Sequence, residues 1–155
     1  MFDSISQRLS ELGLVLPELP RPQANYLPYK RFGNLVFLAG QTSIGQVLYQ
    51  GTLSKAEDVE AGYAAARQCG VHLIAALKMA CDGDLSRVQA CLKVNGYVQA
   101  AAGFDSVPAV INGTSDLFVE VFGEAGTHAR TAIGVSVLPR DASVEVEAVF
   151  AVREH

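Results

Sequence analysis

The chain has 155 residues, half of them hydrophobic and 18% charged, with a formal net charge of −4. That length suits one domain with a real core, and the acidic balance with scattered basic residues excludes an electrostatic footprint for nucleic acid. Mean hydropathy is +0.23, yet no run of about eighteen apolar residues exists to span a membrane, so the apolar excess belongs either to an Ala/Val-rich core or to a face buried against another subunit.

Asp3 and the lack of a basic region ahead of an apolar one argue against a signal peptide. Cys69, Cys81 and Cys91 are odd in number, lack metal-type spacing and lie among apolar residues. They are expected to be free, buried thiols in a reducing cytoplasm. From Phe2 to Leu14, Ile5, Leu9 and Leu12 share one helical face. Pro17, Pro20 and Pro22 follow as an extended connector, because proline removes a donor and biases its neighbours away from helix. Residues 1–24 therefore read as an arm packed on the surface of a domain spanning 25–155.

Tyr26 to Arg31 reads as a strand, Gly33-Asn34 as a turn, and Leu35 to Ala39 as the second strand of a hairpin. Gly40 follows, either as a bulge or turn glycine or as a point of close backbone approach. Leu48 and Tyr49 add a short strand. Glu57 to Met79 is the longest helical signal, with an Ala- and Gly-rich stripe that lets it lie close to a sheet, and with Ser54 and Glu57 as a capping box. His72 on this helix has no second ligand at i+4 and is expected to be satisfied or exposed. Val88 to Val98 alternates as a strand. A second helix, opened by Phe104, Val107, Val110 and Ile111, runs to about Phe122, with Asp116 and Glu120 on its solvent face and Gly123 and Gly126 ending it. The last two strands, Thr131–Leu138 and Val144–Val152, are expected to pair as a hairpin turned by Pro139-Arg140-Asp141.

The order β-β-α-β-α-β-β predicts an α+β domain, a mixed β-sheet with two helices packed on one face. The other sheet face is left bare, which predicts a homo-oligomer.

No GxSxG, HExxH, CxxC, P-loop or GxGxxG motif occurs, and with His72, His128 and His155 as the only histidines a histidine-rich metal site is excluded. What remains is Arg130 with Glu145 and Glu147. Strand alternation puts Arg130 on one face and the two glutamates on a common face. If the last two strands pair, Arg130 and a glutamate meet near one end of the hairpin. That meeting is either a structural ion pair or an arginine fork for a carboxylate beside an acid–base or water-holding glutamate.

The run Ala129-Arg130-Thr131-Ala132-Ile133, Leu138-Pro139-Arg140-Asp141 and Val144-Glu145-Val146-Glu147-Ala148 resembles the signature of the YjgF/Rid family, also called endoribonuclease L-PSP. Gly33-Asn34, Gly40-Gln41, Ala66-Arg67-Gln68 and Ile111-Asn112 match in register, so the resemblance covers about Tyr26 to Arg153. The N-terminal arm resembles a longer branch of that family. The resemblance implies a chorismate-mutase-like fold of the Bacillus type and a homotrimer with sheets forming a central barrel and ligand clefts between subunits. It also implies 2-imino acid hydrolysis to 2-keto acids and ammonia with no metal or cofactor. By position, Arg130 matches the carboxylate-gripping arginine, Glu145 the water-positioning glutamate, Tyr26 the pocket tyrosine, Asn112 the polar residue at the cleft and Gly40 the backbone contact. Tyr29 competes with Tyr26. Ala132 stands where many members have cysteine, His128 where a small residue or proline is usual, and Ala39 where a serine often stands. His128 is either a proton donor at the cleft or a structural or exposed residue. The alternatives to an imine or enamine deaminase are a non-catalytic binder of small carboxylates in the same clefts and, against the charge, an endoribonuclease.

Overall fold

The computed structural model describes residues 4–22 and 24–154. Helix α1 spans Ser4–Glu11; the expected start at Phe2 lies outside the described residues. Strand β1 is Tyr29–Phe32 and β2 is Leu35–Thr42, so the hairpin starts three residues later than Tyr26 and its second strand runs past Gly40. Helix α2 is Val59–Ala80, β3 is Val88–Gln99, α3 is Val107–Phe122, β4 is Ala129–Val135 and β5 is Val144–Val152. Leu48 and Tyr49 form no strand; this stretch makes only the isolated bridges Ile44–Leu48 and Gln50–Ala142.

The order of elements is the expected one, but the pairing at the end of the chain is not. The sheet runs β1-β2-β5-β3-β4. β4 pairs parallel to β3, and β5 inserts antiparallel between β2 and β3. The expected β4–β5 hairpin does not form. β3, α3 and β4 make a parallel crossover unit, which places β4 beside β3. The short connection after Leu138 then delivers β5 to the other edge of β3.

On β5, Val144, Val146, Ala148, Phe150 and Val152 are buried on the helix side, while Glu145, Glu147, Val149 and Ala151 alternate onto the opposite face. Phe118, Phe122 and Phe150 pack edge to face with ring centroids 5.3 to 6.3 Å apart, the geometry their ring quadrupoles favour. All three cysteines are free and buried. On the uncovered face the strands present Phe32 and Phe37, Tyr97 and Asn95, Glu145 and Glu147, and Ile133; Phe32, Phe37 and Ile133 are exposed there.

The two long helices touch nearly backbone to backbone. A Cβ on Gly113 would lie 2.1 Å from the Tyr63 carbonyl oxygen and 3.0 Å from the Arg67 nitrogen. Thr114 Oγ1 donates to the Ala66 carbonyl at 2.5 Å. Beside this seam the Tyr63 hydroxyl donates to Asp116 at 2.6 Å and Arg67 pairs with Glu120 at 2.9 Å. Asp116 and Glu120 thus bridge to α2 instead of simply marking a solvated face. The start of α2 also differs from expectation. Asp58, not Glu57, turns back and accepts from the Ser54 and Lys55 amides at 2.8 and 3.1 Å, because the short helical turn Ala56–Asp58 precedes α2. Helix α1 lies against α3, with Arg8 Nε donating to the Glu120 carbonyl at 2.8 Å.

Gly113→Ala forces a methyl into rigid backbone, so the helices must separate. It is expected to destabilise the protein by about 3 kcal/mol, the upper end for overpacking, as a drop in the urea midpoint with an unchanged slope. Wild-type stability in this variant would refute the close seam.

Candidate functional site

Two clefts carry the predicted site residues, and they lie on different parts of the chain. The larger, about 880 Å³, is walled by residues 17–22 of the arm on one side and by Tyr26, Gly40, Gln41, His72, Arg140 and Glu145 on the other. The smaller, about 280 Å³, is lined by Ser115, Asp116, Val119, Thr127, His128 and Arg130.

The larger cleft is built around a bulge. β2 pairs Leu38 with Ala148 and then Gln41 with Val146, so β2 carries one residue more than β5 over this stretch. The extra residue lets Gly40 settle on Glu145: a Cβ at Gly40 would lie 2.6 Å from Glu145 Oε1. Gly40 is therefore both a bulge glycine and a point of close approach. Burial raises the Glu145 carboxyl above its ordinary value of 4.5, and the Glu147 charge adds to the rise. Glu147 itself accepts from Asn95 at 3.1 Å and the Tyr97 hydroxyl at 2.9 Å. Tyr26 is exposed and lines the cleft; Tyr29, in β1, packs against the core instead.

Three further features shape this cleft, none of them assigned to a site from the sequence. Gln68 clamps the loop after β2, donating to the Ser43 and Val47 carbonyls at 2.9 and 2.7 Å and accepting from the Val47 amide at 3.2 Å. His72 is buried beside Gly45; burial lowers its pKa, opposed by a bond to the Thr42 carbonyl. Arg140 and Asp141 both adopt the left-handed region, at φ 57° and 58°. Such a turn persists only when its surroundings fix it. Gln99 does so, donating to Asp141 Oδ1 at 2.7 Å and accepting from the Leu138 amide at 2.8 Å, while Gln50 donates to the Arg140 carbonyl at 2.9 Å. The signal available in the sequence was the Arg-Asp pair after Pro139, in a turn where glycine or asparagine is usual at a positive φ.

In the smaller cleft, Arg130 Nη1 donates to Asn112 Oδ1 at 2.7 Å and to Ser115 Oγ at 3.2 Å. Asn112 and Ser115 are one helical turn apart and so share a face of α3; that spacing was the signal for Ser115. Arg130 makes no ion pair among the described residues. His128 Nε2 lies 2.8 Å from Ser115 Oγ and Nδ1 lies 2.6 Å from the Gly126 carbonyl. Ala132 lies two residues on, paired in register with Gly96 and packed against the core.

Arg130 and Glu145 do not meet within one chain. Arg130 is in register with Val94, which is in register with Ala148; Glu145 is in register with Tyr97, which is in register with Ile133. The two residues are thus two strands apart and three residues out of register. With about 4.8 Å between strands and about 3.3 Å per residue, their Cα atoms are roughly 14 Å apart. They also point to opposite faces. The expectation that a hairpin would bring them together fails with the hairpin itself. Among the described residues, no group of three or more His, Cys, Asp or Glu side chains could hold a metal ion, and no helix is long and apolar enough to cross a membrane.

Residues 6–152 match the family model described as "YjgF/chorismate_mutase-like, putative endoribonuclease". The protein TCP17 of Trypanosoma cruzi is 38% identical over 148 residues, covering 94% of this chain and 92% of that protein. The crystal structure of protein Atu1372 from Agrobacterium tumefaciens is similar with a TM-score of 0.89 at 38% identity, covering 97% of this chain and 93% of that one. RidA from the Antarctic bacterium Psychrobacter shares 26% identity with a TM-score of 0.57, over 86% of this chain and 93% of that one. The mixed five-stranded sheet, the paired helices and these matches together place the chain in the YjgF/chorismate-mutase-like family.

Proposed function

We propose that the protein hydrolyses reactive 2-imino acids to 2-keto acids and ammonia, as a homotrimer. Each of its clefts joins Arg130 of one copy to Tyr26, Gly40 and Glu145 of another. The observation that carries this reading is the division of the site. A cationic half and a carboxylate half lie on opposite faces of one sheet, too far apart to act on one small molecule. The outer edge of β4, which carries Arg130, has no strand partner among the described residues, and exposed Phe32, Phe37 and Ile133 offer apolar surface for a second copy.

The chemistry asks little of the protein. The free N–H groups of Arg130 hold the substrate carboxylate as a fork. The imine carbon is already electrophilic, so a water held and deprotonated by Glu145 adds to it. The π electrons move to nitrogen. Nitrogen takes that proton back from Glu145, and the resulting carbinolamine collapses as Glu145 carries the hydroxyl proton to nitrogen, the C–N bond breaks and the C=O bond forms, releasing ammonia and the keto acid. A net charge of −4 argues against RNA as the substrate.

Purified protein is expected to accelerate keto acid formation from a freshly generated 2-imino acid. Glu145→Gln should lose about 10²- to 10⁴-fold, the range for a positioned acid–base group, and Arg130→Ala about 10²-fold, as the carboxylate loses its positioning clamp. No acceleration over buffer would overturn the reading, and binding of a 2-keto acid without turnover would leave a carboxylate receptor. Sedimentation should give three times the chain mass of 16.5 kDa.

The division of the site has its own test. Co-refolding equal amounts of the two inactive variants should restore about a quarter of the sites, because a cleft shared between copies then sometimes draws both intact halves. A site contained in one chain would restore none.

The pH profile provides a further check. Glu145 acts as its carboxylate, so the rate should fall as pH drops through its raised pKa. Glu147→Gln removes the neighbouring like charge and should move that acid limb to lower pH. An unmoved limb would remove Glu145 from the base role.

A further inference from the structure

We infer that Ser115 and His128 form a nucleophile–base dyad, with Arg130 as its oxyanion-stabilising group, able to hydrolyse small esters or thioesters in the smaller cleft. The hydrogen-bond directions follow from the groups present. The Gly126 carbonyl can only accept, so His128 Nδ1 carries the proton at that 2.6 Å contact. In the neutral ring Nε2 then has a lone pair, and the Ser115 hydroxyl donates to it at 2.8 Å. Arg130 has only donors, so its 3.2 Å bond to Ser115 Oγ runs into the serine oxygen. The serine is thereby oriented from both sides: its proton faces a base, and the Arg130 guanidinium stands beside its oxygen, within reach of a carbonyl oxygen on the acyl group that Oγ attacks.

This is the arrangement nucleophilic acyl transfer needs: a nucleophile, a base within hydrogen-bond reach, a third group fixing the base's tautomer and a charged donor for the oxyanion. The cleft of about 280 Å³ admits a short acyl group. Burial, together with the Arg130 charge, lowers the His128 pKa below 6.5, against the opposing pull of the Gly126 carbonyl, so the ring is neutral and basic at pH 7. The other groups facing it change little. Asp116 is engaged by the Tyr63 hydroxyl at 2.6 Å, and Phe118 presents its ring in an edge contact at 6.1 Å.

In the reaction Ser115 Oγ bonds to the acyl carbon as its proton passes to His128 Nε2. The carbonyl π pair moves to oxygen beside the Arg130 guanidinium. Collapse breaks the bond to the leaving alcohol or thiol, which takes the proton from His128. Water, deprotonated by the same Nε2, then cleaves the acyl-serine to give the acid and restore the hydroxyl.

The dyad stands independently of imine hydrolysis, and its test does not use an imine. Wild-type protein is treated with diisopropyl fluorophosphate and the adduct mapped by peptide mass spectrometry. The expected result is a single adduct on Ser115, absent in Ser115→Ala and formed at least 100-fold more slowly in His128→Gln, with a rate that rises with pH to a plateau and a midpoint below 6.5. p-Nitrophenyl acetate should give an acyl-serine at the same position. No adduct on Ser115 in the wild-type protein overturns the proposal without recourse to any variant, and so does labelling that is unchanged in a folded His128→Gln protein.

Discussion

β5 is hydrogen-bonded along both edges, to β2 and to β3, while its alternate residues Val144, Val146, Ala148 and Phe150 pack against α2 and α3. A strand committed in three directions at once has one permitted register, because a slip of one residue would turn its apolar row outward and its glutamates into the core. The placement of the strand-borne groups discussed above follows from that register. Glu145 comes to lie under the bulge at Gly40, Glu147 faces Asn95 and Tyr97, and β4 is displaced to the far side of β3 with Arg130.

The glycine-thin seam between α2 and α3 serves both clefts. One helix sends Gln68 to hold the loop at the larger cleft; the other sends Asn112 and Ser115 to the smaller. A rigid pair of helices fixes these polar groups more closely than loops would.

Much of this was legible in the sequence because its signals are local. The strand alternation of Val88 to Val98, the small-residue stripe of α2 and the inward row of β5 are periodic patterns that one face of one element determines. The pairing of β4 was not local. Two strands three to ten residues apart with a turn signal between them read as a hairpin, and nothing in residues 129–152 alone says that β3 will claim β4 in parallel. The crossover preference that decides it acts on β3, α3 and β4 together. The same limit hid Ser115. Its place on α3 is periodic, but its partner His128 comes from the chain beyond the helix, and only the fold brings the two to 2.8 Å. Asp58 displaced Glu57 for a smaller reason, a one-residue shift in where the first turn begins.

The electrostatics of the two halves complement each other. Among the described residues Arg130 carries a positive charge with only neutral partners, and Glu145 is half-buried beside a like charge. Each is less favourable alone than it would be beside the other. In the proposed assembly a neighbouring Arg130 would pull the Glu145 pKa down and leave a poor base. A substrate carboxylate seated on Arg130 cancels that pull, because it neutralises the guanidinium before the water is activated. Glu145 then keeps the raised pKa that burial and Glu147 give it. Under the proposed reaction the carboxylate would thus be needed twice, as the handle that positions the imine and as the charge that keeps the base basic, and an imine lacking it would lose turnover as well as affinity.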